Sequence, residues 1–195
     1  MRQMDKVMKK KIILITDGDQ VARRAVEKVA EKVGGRCISL SAGNPTPVSG
    51  QEIISAVLET PYDPVLVMLD DRGNRSQGEG ETALAEITAS NQVEVLGVVA
   101  VASNTEAIKG IEVDCSVTNQ GQLVPDAVDK EGFPEPDHSH RLKGDTVDVL
   151  NKLEIPIIIG VGDIGKMKGY DRLSKGAPIT KRAVEEILAR SGYKI

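Results

Sequence analysis

A chain of 195 residues that is 40 % hydrophobic fits one domain with a sizeable core. Its aromatic residues are Phe133 and three tyrosines, too few for base stacking, and a net charge of −4 gives no electrostatic case for DNA or RNA. The longest apolar stretch, Val95 to Ala102, falls far short of the ~20 residues that span a bilayer, so no transmembrane segment is expected.

Residues 1–9 are polar and aperiodic and are expected to form a loose arm. Ile12 to Ile15 is a short apolar run, as in a strand buried on both faces. Lysines precede it, but the run is too short for a signal peptide. It ends in Thr16-Asp17-Gly18-Asp19. A helical stripe then begins, with Val21, Ala22, Ala25, Val26, Val29, Ala30 and Val33 on one face and Gly34-Gly35 as its stop. Arg36 to Leu40 reads as the second strand, and Ser41 to Pro47 as a loop.

Ser49 and Glu52 have the spacing of a capping box. The helix they open is expected to run to about Glu59 and bury Ile53, Ile54, Val57 and Leu58. Val65 to Leu69 is the third strand, ending in Asp70-Asp71-Arg72-Gly73. A glycine-rich polar loop, Asn74 to Gly80, leads to a helix with Ala83, Leu84 and Ile87 inward. Val93 to Ala102 is the fourth strand, ending in Ser103-Asn104-Thr105. A short helix is expected over Thr105 to Lys109, and a fifth strand over Ile111 to Val117.

Residues 120–144 break this rhythm with three prolines, Phe133, His138 and His140. A stretch of that length inside a domain suggests a lid, a binding arm or a small subdomain. Asp145 is expected to cap a helix burying Val149, Leu150 and Leu153. Ile155 to Ile159 is the sixth strand. After a glycine- and lysine-rich stretch, the last helix starts with Pro178 in its first turn and buries Ala183, Val184, Ile187 and Leu188. Apolar strands alternating with helices predict an α/β fold. The expected form is a three-layer α-β-α sandwich around a mostly parallel sheet of about five to six strands, Rossmann-like or flavodoxin-like, in one domain over residues 1–195. The pattern leaves strand order open. Cys37 and Cys115 lie in apolar runs without Cys-x-x-Cys spacing and read as buried thiols of a reducing compartment.

Parallel strands bring their carboxyl ends to one edge, where such sheets bind ligands. Asp17 and Asp19 follow the first strand, Asp70 and Asp71 the third, and Asp163 the sixth. Clustered carboxylates repel unless a cation sits among them or some stay protonated. Mg²⁺ and Ca²⁺ take such hard oxygen ligands. The bland alternative is local capping, with Asp17 on the first helix and Asp71 paired to Arg72 or Arg75. Gly160, Gly162, Gly165 and Lys166 satisfy both G-x-G-x-x-G and G-x-x-x-x-G-K after a strand, a candidate phosphate cradle. Met167 replaces the Ser or Thr of a P-loop, and Asp163 puts a negative charge inside, so a tight turn is the competing account. Asp137, His138 and His140 have weak metal-ligand spacing in a loop. Lys166, Lys168, Arg172 and Lys175 form a basic patch suited to an anionic ligand, lipid heads, an acidic partner or solvent.

The strings KIILITDGD, VLVMLDDRGNRSQGEGE, VAVASNT, VDCSVTNQGQLVPDAVDKEG, HRLKGDTVDVLN, IIIGVGDIGKM and KGAPITKRAVEEIL together resemble the stage V sporulation protein AE family of spore-forming Firmicutes, in its soluble form. The resemblance runs from about Lys10 to the end. It implies a protein of sporulation and spore germination, acting with the calcium dipicolinate transport system of the spore inner membrane. It implies membrane proteins of the dipicolinate channel or germinant receptors as partners. It places the protein in the forespore cytoplasm or peripherally at that membrane. The family brings no catalytic residues with it, so a non-catalytic accessory role is expected. The alternative is a Mg²⁺-dependent phosphoryl-handling enzyme or receiver-like switch. In it Asp70 takes the phosphoryl group, Asp17 and Asp19 hold the metal, and Ser103 and Lys166 assist.

Overall fold

The computed structural model describes residues 8–71, 78–104 and 109–194. Most of the expected N-terminal arm, of the glycine-rich loop after the third strand and of the short helix after Asn104 lies outside them.

The chain begins β1 (Lys10–Ile15), α1 (Gln20–Lys32), β2 (Arg36–Cys37), α2 (Gly50–Glu59), β3 (Val65–Met68), α3 (Glu79–Ala89) and β4 (Val93–Val101). It continues through β5 (Ile111–Glu112), β6 (Cys115–Val117), β7 (Leu123–Val124), β8 (Arg141–Leu142), β9 (Ile158–Val161) and α4 (Pro178–Arg190). One sheet carries seven strands in the order β2-β3-β1-β4-β9-β6-β7. All its pairings are parallel except the edge pair β6–β7. This is an α/β fold around a mostly parallel sheet, as expected, with one strand more than the upper count. The order is neither the 3-2-1-4-5-6 nor the 2-1-3-4-5 arrangement of doubly wound sheets, because β3 sits between β1 and β2.

Both faces of the sheet are covered. Side chains alternate along a strand, so Ile13 and Ile15 face α1 and α4 while Ile12 and Leu14 face α2 and α3. Burial on both faces explains the uninterrupted apolar strands. The capping box forms as read: the Ser49 hydroxyl accepts from the Glu52 N–H, and the Glu52 carboxylate accepts from the Ser49 N–H at 2.9 Å. Cys37 and Cys115 are buried free thiols, and burial pushes Cys37 up to about 12.

Several expectations are corrected. The second strand stops at Cys37, because Ser39–Ser41 coils into a 3₁₀ turn. The Ser41 hydroxyl then accepts from the Met68 N–H at 3.0 Å, replacing a backbone partner. The sixth strand, β9, starts at Ile158 rather than Ile155, since Pro156 has no N–H to give a ladder. The helix expected after Asp145 is a 3₁₀ turn, Asp148–Lys152, with no side-chain cap. Val21 and Leu58, read as core, are 44 % and 40 % exposed.

Residues 120–144 pack as an extension of the sheet. β7 adds to its edge, β8 pairs with β5 in a two-stranded ribbon, and Ala127, Val128 and Leu142 are buried.

Candidate functional site

β1 lies between β3 and β4; the chain runs from β1 to β2 on one side of the sheet and from β4 onward to the strands on the other. A crevice opens at the carboxyl ends of strands at such a point. Here it is a cavity of about 130 Å³ lined by Thr16, Asp17, Asp19, Asn44, Asp70, Val101, Ala102, Ser103, Asp145 and Asp163. Four of the five aspartates predicted from strand ends are therefore on its wall. That volume is below the roughly 300 Å³ at which organic-ligand pockets begin, and a water takes about 30 Å³. The space suits an ion with a few waters.

Each wall residue is held by its own element. The Thr16 hydroxyl accepts from the Val101 N–H at 2.9 Å, tying the ends of β1 and β4 together. Gly18 permits the turn between Asp17 and Asp19, since a β-carbon there would lie 2.0 Å from the Gly43 carbonyl oxygen. The main chain of Asp70 is clamped by Thr46, whose hydroxyl accepts from the Asp70 N–H at 2.8 Å. Asp19, not Asp17, caps α1: its Oδ1 accepts from the N–H groups of Val21 and Ala22, each at 2.8 Å. The position just before the first helical residue takes that duty.

Asp17, Asp19 and Asp163 each offer an oxygen within 4.8 Å of the others. Asp17 is 9 % exposed. Its Oδ1 accepts from the Asp19 N–H at 3.1 Å, and Oδ2 has no donor among the described residues. Burial, with the charges of Asp19, Asp70 and Asp163, raises its pKa to about 7, although the Asp19 N–H opposes this. Lys166 Nζ lies 2.6 Å from Asp19 Oδ2 and 3.2 Å from Asp163 Oδ1. Burial acts to raise Asp19, but the Lys166 hydrogen bond and the helix N–H groups outweigh it and leave Asp19 below its ordinary value. Burial acts to lower Lys166, and its two carboxylate partners overcome that.

Asp71 departs from the group. Successive residues point to opposite sides of an extended chain, and Asp71 Oδ1 accepts from the Glu81 N–H at 3.1 Å, beside the start of α3. Its Oδ2 is buried and has no partner among the described residues. The arginines expected to pair with it lie outside the described residues.

The glycine turn is engaged with the protein itself. The N–H groups of Asp163 and Gly165 donate to Lys130 O at 2.7 Å and Asp171 Oδ2 at 2.8 Å. Gly160 faces Ser116, Gly162 lies against the backbone of Lys130 and Gly132, and Gly165, at φ +75°, lies against Val21. Lys166 serves the aspartates. His138 pairs with Asp126 at 3.0 Å and His140 with the Pro125 carbonyl at 2.8 Å, so the two rings have separate partners. In the basic patch, Lys168 lies 6.0 Å from the Phe133 ring centre, and Arg172 Nε donates to the Gly169 carbonyl at 2.9 Å.

Asn44 and Asp145 reach the cavity from loops, and no strand-end signal marks them. Asp171 was likewise unmarked. It is fully buried and accepts from the N–H groups of Gly165, Ile179 and Thr180 and from the Thr180 hydroxyl. No helix among the described residues is long and apolar enough to cross a membrane.

A family model described as stage V sporulation protein AE1 matches residues 11–191. No curated protein and no solved structure matches the chain.

Proposed function

The chain belongs to the stage V sporulation protein AE1 family, which gives it a sporulation-related role, and from that premise we propose a non-catalytic accessory protein of the calcium dipicolinate transport system. Its direct contacts would be membrane proteins of that system, at the forespore face of the spore inner membrane. Its carboxyl-edge cavity would hold a divalent cation, with Ca²⁺ favoured by the salt being moved. The observation that carries the cation assignment is the convergence of Asp17, Asp19 and Asp163 within 4.8 Å on one small cavity.

Asp17 and Asp163 are the protein ligands proposed first, with Asp19 a third and Asp70 on the same wall. Ca²⁺ accepts six to eight oxygens and Mg²⁺ six; waters and neutral wall oxygens would fill the rest. A bound cation also offsets the burial and the neighbouring carboxylate charges that raise Asp17 toward neutrality. Calorimetric titration with Ca²⁺ and with Mg²⁺ is the test, against a variant carrying Asp17→Asn and Asp163→Asn. Heat in the wild type that the double variant loses supports the site. Equal signals, or none from either, contradict it. For the process, spores carrying the double variant should differ from wild type in dipicolinate content or release; identical uptake and release in spores lacking the protein altogether would end the accessory role.

The presence of Asp70 and Ser103 on the same wall favours a second proposal, phosphoryl transfer to Asp70 in a receiver-like manner. Incubation with acetyl phosphate and Mg²⁺ followed by mass spectrometry distinguishes it: a phosphoryl adduct absent from Asp70→Asn supports this reading over the first.

A further inference from the structure

Lys166 is bonded to two of the carboxylates proposed for the cation. Both oxygens of Asp19 are engaged: Oδ1 by the N-terminal N–H groups of α1, and Oδ2 by Lys166 Nζ at 2.6 Å. Asp163 Oδ1 is shared with the same ammonium at 3.2 Å. Asp17 is different. It is nine-tenths buried and lines the cavity, and its Oδ2 has no donor among the described residues. The cavity lining thus presents an unmatched oxygen on Asp17, beside oxygens of Asp19 and Asp163 already held by a side-chain cation.

We propose that Lys166 is the resident counter-ion of this cluster and that a divalent cation takes the Asp19 and Asp163 oxygens only by displacing it. The inference rests on the cation assignment made above. Oxygens on one Ca²⁺ lie about 2.3–2.6 Å from the ion, hence no more than about 5 Å apart. The 4.8 Å grouping of the three aspartates meets that limit. An ammonium bonded to an oxygen of Asp19 and one of Asp163 competes for those carboxylates, and two like charges that close repel strongly. Release is sterically simple, because the Lys166 side chain is 40 % exposed. Its backbone is fixed separately, by its N–H to the Asp163 carbonyl and by its own carbonyl accepting from the Gly169 N–H at 2.8 Å. The side chain can turn to water while the turn stays in place. The cluster is then an exchange site whose built-in competitor weakens cation affinity, as suits an ion that must be taken up and let go.

The test is Ca²⁺ and Mg²⁺ affinity in the full chain for wild type, Lys166→Met and Lys166→Arg. Removing an ion-pair competitor of this exposure should tighten binding roughly five- to tenfold in Lys166→Met, while Lys166→Arg stays near wild type. Equal affinity in wild type and Lys166→Met would overturn the competition and leave the cation site standing. Absence of binding in all three would remove the cation assignment itself, and this inference with it. A second readout needs no variant. The lysine Nζ signal of Lys166, followed by NMR in the wild type, should shift and exchange faster on saturation with Ca²⁺. An unchanged signal at saturation would overturn the displacement.

Discussion

Asp17 is an acid whose surroundings oppose its ionisation. Its ordinary pKa of 3.8 is raised to about 7, by burial first and then by neighbouring carboxylates. Between those values the folded protein holds this proton and the unfolded chain does not. Stability attached to Asp17 is therefore fullest in acid and falls as pH rises from about 4 to 7, the loss being complete above that. Asp17→Asn keeps an oxygen for the Asp19 N–H and removes the charge. In the absence of divalent cations it should stabilise the protein at pH 8 by an amount on the order of 2–4 kcal/mol, fading to nothing near pH 4. Denaturant unfolding at the two pH values measures this; a variant less stable than wild type at pH 8 would show that the carboxylate is already balanced. Gly18 makes the second prediction at this scale. A methyl group there meets the Gly43 carbonyl, backbone that cannot turn aside. Gly18→Ala should cost about 1–3 kcal/mol in the same experiment and move Asp17 and Asp19 off the cavity wall.

At the scale of elements, α4 starts without a capping side chain of its own, since Ala177 occupies that position in a left-handed conformation. Asp171 supplies the cap from the preceding loop, and its Oδ2 also receives the Gly165 N–H. One carboxylate thus fastens the turn that carries Asp163 and Lys166 to the last helix. Asp171→Ala leaves several buried donors without acceptors. It should lower stability by about 3 kcal/mol or more and weaken cation binding as well; thermal unfolding together with the calcium titration checks both. This cap could not be read from the sequence, because it acts from outside the helix it serves. The capping box at Ser49 was legible because both its partners lie within one turn. The same contrast governs the site. Asp17, Asp19, Asp70 and Asp163 are expected at one edge because each comes soon after a buried parallel strand, and all four line the cavity. Asp71 was misplaced because the alternation of side chains sends it away from its neighbour. Asn44 and Asp145 arrive by loop paths that no periodicity encodes, and Asp145 had been read as a helix cap.

Across the whole molecule, alternation of apolar runs and amphipathic helices was enough to give the layers, since each face of the sheet must be covered. It did not give strand order, which depends on which way each crossover turns. That order places β1 between β3 and β4, so residues from four strand ends converge on one crevice. A cation held there, as proposed, would tie β1 to β9 across β4 and stabilise the folded state by linkage. At a free concentration about a hundred times Kd the gain is about 2.7 kcal/mol, a rise in Tm of roughly 5–10 °C for a chain of this size. The double variant Asp17→Asn, Asp163→Asn should show no such rise in a thermal melt with Ca²⁺. The most direct examination of the central claim is anomalous diffraction from crystals grown with Mn²⁺ as the reporting ion. The account predicts a peak in the carboxyl-edge cavity, within coordination distance of Asp17 and Asp163, with the Lys166 ammonium no longer on Asp19. A cavity without a peak at millimolar Mn²⁺, with Lys166 still bonded to both aspartates, would contradict it.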